Sequence, residues 1–471
     1  MPKSRIAPTG GLQAKHLFAW SLVSIISNMM MIPLNALIPA FYAKNTAIDL
    51  ATIGIILMAA RLYDAVADPA VGYLSDRTRG PLGRRKPWIM AGGVLATAAV
   101  YFLFNPPAAA SGGYLLPVML VFYTAYSMLA VPHSAWGSEL SRAYSERSTI
   151  SGVLTFAGVV GLLLFMGLPL LLSSPLLPLF PTAEITPPML KLLGWLILAL
   201  LPLCIGAAVI FAPIGAAAAD AGPVTLASVV RSLRINRPFW TFASAYALTG
   251  LAYGVYYGTS YIFIDAYLGM ADKFPVIYAT AAIAQIVSIP FWTRLSQTHE
   301  RKHIWALGIA GFGLLLTLRV FVPPGEAGFP WLLALATVAS FANAASQVPQ
   351  MAVLADCIDY DTLRTRANRA GSYYAIQQFV LKATLAAGGG VAFLVLSLMD
   401  FDAKAAVHSR ASLNGLALVH TGAPLVLFVA AGVLLWLFPL DRKRQHIIRR
   451  RLDGRVTSSV SLPSGASPHG S

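Results

Sequence analysis

Charged residues are scarce in this chain. Of its 471 residues, 11% are Asp, Glu, Lys or Arg, whereas 57% are hydrophobic and the mean hydropathy is +0.68. A soluble globular domain has about 25% charged residues. The composition therefore excludes an ordinary soluble protein and indicates an all-α polytopic membrane protein.

Cysteine is almost absent, and so are the motifs of enzymes. The two cysteines, Cys204 and Cys357, lie in or beside apolar segments and give neither a disulfide framework nor a metal-ligand spacing. The sequence also has no His/Glu metal pattern, no Ser/His/Asp order and no phosphate-binding loop. We therefore expect no enzyme activity, no bound cofactor and no metal site.

Acidic residues are outnumbered by basic ones, 19 against 34, which gives a net charge of +15. In the segment map below, 26 of the 34 basic residues fall on one side of the membrane. Cytosolic loops of membrane proteins are enriched in Lys and Arg in this way. The charge therefore predicts a multi-pass protein of the plasma or inner membrane with both termini cytosolic, and it does not indicate nucleic-acid binding.

Twelve apolar segments are long enough to cross a bilayer, which takes about 20 residues per helix. They lie near residues 17–42, 52–74, 87–106, 114–139, 150–174, 189–213, 238–264, 275–294, 303–322, 329–355, 371–397 and 417–440. The predicted division is a cytosolic N-terminus (1–16), a six-helix bundle (17–213), a cytosolic linker (214–237), a second six-helix bundle (238–440) and a basic tail (441–471). We expect the tail to be disordered, with its basic part able to lie on anionic lipid.

Two sequence patterns recur six segments apart. A proline followed by Leu-Ser at plus five and plus six occurs at 69–75 and again at 290–296. Val-Pro with an acid seven residues after the proline occurs at 131–139 and again at 348–356. The recurrence predicts a parallel duplication, with two pseudo-symmetric six-helix bundles.

The second segment contains two carboxylates inside an apolar run. Asp64 and Asp68 are four residues apart, so on a helix they share a face, with Arg61 one turn earlier. Lys382 is similarly embedded in the eleventh segment. Each charge costs roughly 2.5 to 3.5 kcal/mol at mid-membrane on insertion scales. The acid pair is therefore predicted to be a functional site that faces a cavity or a partner. The two acids need a cation, and the lysine needs an anion.

A charged loop follows the second segment. Its pattern consists of Gly72, Asp76 and Arg77, followed by Gly83, Arg84 and Arg85. This pattern resembles the loop between helices two and three of the major facilitator superfamily. We expect it to form a cytosolic charge network that rearranges as two halves rock, with Glu139 and Asp356 pairing with loop arginines at matched positions.

The resemblance narrows when three blocks are taken together. Residues 64–88, 131–147 and 356–382 are similar to the melibiose-carrier-like family of glycoside, pentoside and hexuronide cation symporters, over residues 17–440. The resemblance implies the major facilitator fold, a coupling-cation site at Asp64 and Asp68, and Lys382 as their countercharge. We expect Arg61 to orient or tune the acids, and the protein to act as a monomer in the lipid membrane.

The sequence departs from the family pattern at two sites. Ala67 stands where the family's cation site has an asparagine, which removes a neutral oxygen and favours H+ over Na+ as the coupling ion. The family's charged sugar-binding positions and its tryptophan are replaced by Asn28, Ala130, Thr155 and Gln347. A glycoside or other small carbohydrate is the predicted solute, with an amphiphile such as a lysolipid or an aromatic metabolite as the alternative. A non-transporting membrane scaffold is the alternative from another class.

Uncharged polar and aromatic residues are predicted to line the central cavity in place of the missing charges. Aromatic rings offer flat contacts and amides offer paired hydrogen bonds. The predicted cavity residues are Asn28, Tyr126, His133, Gln347, Tyr373 and Gln377.

Overall fold

The computed structural model describes residues 13–140, 144–214, 235–365, 369–405 and 407–460. All the secondary-structure elements in these ranges are helical. The first six long helices are α1 (Ala14–Ala36), α2 (Leu50–Arg77), α3 (Lys86–Phe104), α4 (Gly112–Leu140), α5 (Tyr144–Leu172) and α6 (Pro187–Phe211). The second six are α7 (Arg237–Ile262), α8 (Phe274–Thr298), α9 (Arg301–Thr317), α10 (Phe329–Thr365), α11 (Ala370–Leu398) and α12 (Arg410–Trp436). The predicted linker residues 215–234 lie outside the described ranges.

Eleven helices in the described ranges are long and apolar enough to cross a membrane by themselves. The twelfth, α7, has 26 residues but is rich in Tyr, Thr, Ser and Gly, and 18 of its residues are buried. Because most of α7 faces protein, it does not need the apolar surface of a lipid-facing helix. The prediction of twelve membrane helices is therefore confirmed, with α7 as the most enclosed of them.

Several helix boundaries differ from those predicted. The first segment is split at Leu37 into α1 and a short helix, Ile38–Asn45, and a proline lies on each side of the break, at Pro33 and Pro39. At its other end, α10 extends ten residues beyond the predicted 355, because a helix that leaves the membrane no longer needs apolar residues.

The tail contains a helix, Arg442–Val460, where disorder was expected. Asp441 accepts a hydrogen bond from the backbone N–H of Arg444 (2.7 Å), which starts the helix and lowers the pKa of Asp441 below its ordinary value. Ile448 is buried, and Gln445 donates to Asp359 at the end of α10 (3.0 Å). The expectation of disorder was wrong for residues 442–460, because a few apolar and amide side chains within the basic run dock on α10.

The duplication is visible in matched contacts of the two halves. Arg85 and Lys86 precede and begin α3, and Arg301 and Lys302 begin α9. Lys86 Nζ donates to the carbonyls of Val209 and Ala212 at the end of α6 (both 2.7 Å). Lys302 Nζ donates to a carbonyl just after α12, that of Phe438 (2.8 Å). In each half the lysine therefore satisfies carbonyls at the C-terminal end of the sixth helix.

The two halves meet most closely where α2 packs on α11. A Cβ added to Gly54 would lie 2.7 Å from the carbonyl oxygen of Gly390, so the two backbones are in direct contact. We call the end of the bundle where α1 begins and α12 ends the terminal face, and the opposite end the distal face. The glycine contact lies in the distal part of the bundle.

A salt bridge joins the halves at the distal face. Lys44, in the short helix after α1, donates to Asp265 Oδ2 at the end of α7 (2.7 Å) and to Glu184 Oε1 in the loop before α6 (3.3 Å). Burial lowers the pKa of Lys44, but the two carboxylates outweigh this effect, so its pKa lies above the ordinary value. At the terminal face, the pairs Arg85–Glu139 and Arg301–Asp356 each lie within one half. The structure is therefore closed by contacts between the halves at its distal face.

Lys86 and Lys302 donate to carbonyls at the end of α6 and just after α12, so substitution of either lysine should destabilise the protein. We expect Lys86→Met and Lys302→Met each to lower the free energy of unfolding by about 1.5 to 3 kcal/mol, the usual contribution of a hydrogen bond to a charged group. The apparent Tm of the purified protein in detergent measures this loss. Lys191→Met, at an exposed position in α6, is the matched control and should leave the Tm unchanged. A lower Tm for only one of the two variants would contradict equivalent roles for the two lysines.

Candidate functional site

The three predicted ionic residues lie together at the interface between the halves. Lys382 Nζ on α11 donates to Asp64 Oδ2 (2.7 Å) and also contacts Asp68 Oδ2, both on α2. The Asp64 side chain is fully buried, whereas that of Asp68 is 26% exposed. Asp68 is therefore the carboxylate that an ion from solution can reach first.

A serine that the sequence did not single out completes this cluster. Ser127 Oγ on α4 lies 2.6 Å from Asp68 Oδ1 and 3.2 Å from Asp64 Oδ1. One hydroxyl thereby holds both carboxylates in position against α4. A single serine in an apolar segment is common, so no sequence signal distinguished it.

Arg61 balances the charge of the cluster without joining the lysine bridge. It is buried one turn before Asp64, and its guanidinium lies 5.0 Å from the centre of the Tyr123 ring. With Arg61 and Lys382 positive and both aspartates ionised, these four groups are electrically neutral. A cation that binds between the aspartates therefore adds a positive charge and competes directly with Lys382.

Four residues predicted for the charge network of the first half, Asp76, Arg84, Arg85 and Glu139, do form one network. Arg85 donates from Nη2 to Glu139 Oε1 (2.7 Å) and pairs with Asp76, and Arg84 reaches the same Glu139 oxygen at 3.3 Å. A third Arg85 contact, from Nη1 to Ser75 Oγ (2.8 Å), ties the loop to α2. The network joins the ends of α2, α3 and α4 into one unit.

The other residues predicted for the charge network lie at separate positions. Arg77 stacks on the Tyr73 ring at 3.7 Å. Gly72 faces Val131 on α4, and Gly83 has a positive φ of 77°, which favours glycine in this turn. Asp356 pairs with Arg301 in the second half (3.4 Å), as Glu139 does with Arg85 in the first.

A cavity of about 560 Å³ lies between the halves, and we call it the polar compartment. Four of the six predicted cavity residues line it: Asn28, Tyr126, His133 and Gln347. Ala130 and Thr155, at the family's sugar-binding positions, also line it, and so do polar residues that the sequence did not single out, among them Ser24, Ser27, Ser134 and Gln285. Short hydroxyl side chains and one glutamine in apolar segments carry little sequence signal, so they were missed.

Tyr373 and Gln377 lie elsewhere, within the second half. Tyr373 is buried, accepts a hydrogen bond from Asn236 (2.9 Å) and meets the Phe239 ring edge-on. The Gln377 amide is buried 3.7 Å from Met351 Sδ. The helical phase of α11 turns this face toward α7 and α10 rather than toward the polar compartment.

His133 has mainly a packing role. Its Nε2 lies 2.9 Å from the carbonyl of Trp20, its ring stacks on the indole at 4.4 Å, and only 3% of the residue is exposed. A histidine held on both its face and its nitrogen is fixed in place. It presents only an edge to the polar compartment.

A second cavity, of about 290 Å³, adjoins the polar compartment. The two share Leu162, Ala282 and Gln285 in their walls. Within the described ranges, no group of three or more His, Cys, Asp or Glu side chains has the arrangement of a metal site. The chemistry that this arrangement supports is binding of an uncharged polar solute beside a carboxylate pair that can take up one cation.

Comparisons with known proteins agree with this architecture. The uncharacterized symporter YnaJ of Bacillus subtilis is 25% identical over 88% of this chain and 89% of its own. The putative glycoside/cation symporter YagG of Escherichia coli is 22% identical, over 91% and 93%. The sodium-dependent lysophosphatidylcholine symporter 1-B of Danio rerio is also 22% identical, over 89% and 83%.

Solved transporter structures share the fold. The nucleoside transporter NupG superimposes with a TM-score of 0.62 at 13% identity, over 90% of this chain and 98% of NupG. An inward-facing, unoccupied bacterial homologue of the lysosomal transporter Spinster gives a TM-score of 0.60, also at 13% identity, over 94% and 99%. The family described as MFS/sugar transport protein matches residues 20–442. The chain therefore belongs to the MFS/sugar transport family and is a multi-pass membrane transporter with the major facilitator fold.

Proposed function

We propose that the protein is a cation-coupled symporter of a glycoside or related small carbohydrate, which it carries across the plasma or inner membrane by alternating access. The observation that carries this proposal is the bridge from Lys382 on α11 to Asp64 and Asp68 on α2, because it joins the two halves. A cation that replaces the lysine changes the attraction between the halves. The cation site and the rocking motion are thereby linked through one set of charges.

The charges on α2 and α11 determine whether a bound cation strengthens or weakens the attraction between the halves. Asp64, Asp68 and Arg61 carry a net charge of −1 on α2, opposite the +1 of Lys382 on α11. A bound monovalent cation or proton brings the α2 group to zero and removes most of the attraction. Breaking a buried ion pair without compensation costs about 3 to 5 kcal/mol, so the cation supplies the compensation that lets the halves part.

The coupling ion in this proposal is a proton. Among the residues that the structure describes, Ser127 supplies a hydroxyl oxygen in hydrogen-bond contact with the two aspartates, while Ala67 contributes no side-chain oxygen. Hard metal cations bind through several oxygen ligands, whereas a proton needs one carboxylate. The lysophosphatidylcholine relatives are named as sodium-dependent, so sodium is the alternative ion.

The solute assignment rests on the polar compartment. Asn28, Gln285 and Gln347 bring three amides to its wall, and an amide can donate and accept toward neighbouring hydroxyls of a sugar. The relative YagG is named as a glycoside/cation symporter. A lysolipid-like amphiphile is the second candidate, because the same wall contains an apolar stretch at Ile286 and Ile289.

We further propose that the terminal face is cytosolic. The predicted loop and tail arginines and lysines concentrate there, as the positive-inside rule requires. The distal-face bridge of Lys44 then closes the extracellular side, and the arrangement described here is the one that opens to the cytosol.

Loss of the accessible carboxylate should abolish coupling. In proteoliposomes under no gradient, a transported glycoside should raise external pH with wild-type protein, and Asp68→Asn should reduce this signal by at least about tenfold, because it removes the accessible carboxylate that takes up the proton. Asp272→Asn is the matched control, since Asp272 pairs with its neighbour Lys273 at the distal face. Equal pH traces from Asp68→Asn and wild type would show that this carboxylate does not carry the coupled ion.

The identity of the coupling ion can be tested at Ala67, which lacks the side-chain oxygen of the family's asparagine. Replacing external sodium by choline should leave wild-type glycoside uptake unchanged, and raising external pH should slow it. Ala67→Asn restores an amide oxygen beside Asp68 and should make uptake respond to sodium. Wild-type uptake that depends on sodium and not on pH would reverse the ion assignment.

The distal-face bridge should hold the extracellular side closed. A cysteine at Ser340, which lines the cavity wall beneath this face, reports its opening to a membrane-impermeant maleimide added outside, in a Cys204→Ser background. Lys44→Met should raise the labelling rate several-fold, because loss of a partly buried ion pair favours the open form. Lys404→Met, at an exposed distal position, should not change labelling. A fall in labelling with Lys44→Met would mean that the bridge does not close this side.

A further inference from the structure

The cavity that adjoins the polar compartment has an aromatic wall, and we call it the aromatic compartment. Tyr256 and Tyr257 from α7, Tyr278 from α8 and Phe312 from α9 line it. Its volume is about 290 Å³, roughly half that of the polar compartment at about 560 Å³. The site therefore has a larger polar part and a smaller part that is suited to a flat apolar group.

Packing fixes the orientation of these rings. Tyr256 meets Tyr257 with ring centres 5.1 Å apart and meets Phe312 edge-on at 5.5 Å. Tyr278 stacks on Phe274 at 4.3 Å. Rings held by other rings lose little freedom when a ligand arrives, so the wall is preorganised for an aromatic partner.

One buried acceptor in this compartment is unused. Asn35 Oδ1 is inaccessible to solvent and has no hydrogen-bond partner among the residues that the structure describes. The other wall asparagine, Asn343, is engaged by Tyr253. Leaving a buried acceptor unsatisfied is unfavourable, so Asn35 gains a partner if its amide turns toward a ligand hydroxyl in the compartment. With the amide in that orientation, the compartment is suited to a ring that carries a hydrogen-bond donor as well as to a plain ring.

The two compartments share part of their walls. Gln285 and Ala282 on α8 and Leu162 on α5 belong to the walls of both. A solute with a hydroxyl-rich part and an aromatic part would place the bond between them near Gln285. The amide can donate to an ether oxygen at that position.

We propose that the solute is a glycoside with an aromatic aglycone, with its sugar in the polar compartment and its aromatic ring in the aromatic compartment. This inference rests on the proposed function and specifies its substrate. A long acyl chain fits less well, because the aromatic compartment is small and the packing of Gly54 on Gly390 closes the bundle toward the distal face. Specificity therefore comes from the ring wall as well as from the sugar-binding amides.

The test compares methyl and phenyl glycosides of the same sugars. Calorimetric titration of the purified protein with a panel of hexosides, pentosides and uronides in both forms gives two dissociation constants for each sugar. For at least one sugar, the phenyl form should bind about 10- to 100-fold more tightly, because it buries a ring against aromatic side chains. Tyr257→Leu should reduce this ratio toward one, because the phenyl form loses its ring contact.

Two further variants show whether the effect of Tyr257→Leu comes from the lost ring contact or from a loss of folded structure. Tyr257→Phe keeps the ring and should keep the ratio. Tyr101→Leu removes a tyrosine that is 44% exposed on α3, far from the cavity wall, and should also keep it. An unchanged apparent Tm of all three variants in detergent shows that they are folded.

The outcomes distinguish this inference from the function on which it rests. Methyl and phenyl glycosides that bind equally well would overturn the aromatic aglycone and leave glycoside transport standing. Binding by neither series would overturn both. Free phenols that bind as tightly as phenyl glycosides would show that the sugar contributes nothing, which overturns the glycoside assignment and favours an aromatic metabolite.

Discussion

The ion bridge between α2 and α11 is the interaction on which the arrangement of the two halves depends. The first half carries one excess negative charge at Asp64, Asp68 and Arg61, and the second carries Lys382 opposite it. Neither half can bury its charge alone without a large desolvation cost. The halves therefore attract each other at the centre of the bundle as long as nothing else neutralises the aspartates, and in the proposed cycle the coupling ion is what does so.

The remaining ionic contacts fall into two groups. Those within one half can persist when the halves move relative to each other, whereas those between the halves must break. The networks of Arg85 with Glu139 and of Arg301 with Asp356 lie within single halves, and so do the lysine contacts at the ends of α6 and α12. They stabilise each six-helix unit as a rigid body. Among the described residues, the ion pairs that join the halves lie at the centre, at Lys382, and at the distal face, at Lys44. Rigid units with few joining contacts are the physical requirement for alternating access.

The sequence predicted the helices and the charged contacts better than it predicted the cavity. Twelve spans, a parallel duplication and a charged pair beside a lysine followed from apolar run length, recurring spacing and the rarity of charge in membrane segments. The sequence did not reveal the burial of α7, because the composition of this helix is only moderately apolar. It did not reveal the tail helix either, because that segment is strongly basic. The functions of the acid pair and of the loop network stay predictions.

The cavity was harder for a geometric reason. A helical pattern shows which residues share a face, but not which neighbouring helix that face meets. Tyr373 and Gln377 were placed one turn apart correctly, yet their shared face packs inside the second half. Gln285 and Ser127 were missed because a single polar residue in an apolar segment is equally compatible with a packing role. Only the tertiary arrangement assigns such residues to a site.

The position of α4 connects the two parts of the site. Tyr126 lines the polar compartment, and the next residue, Ser127, binds both carboxylates of the cation site. Consecutive residues of one helix cannot move independently, because the backbone hydrogen bonds of that turn fix them together. In the proposed mechanism a solute that displaces Tyr126 therefore also moves the hydroxyl that orients Asp64 and Asp68. Since the wall of the polar compartment is uncharged, the change in charge balance comes from the coupling ion alone, and the solute acts on it through the geometry of α4.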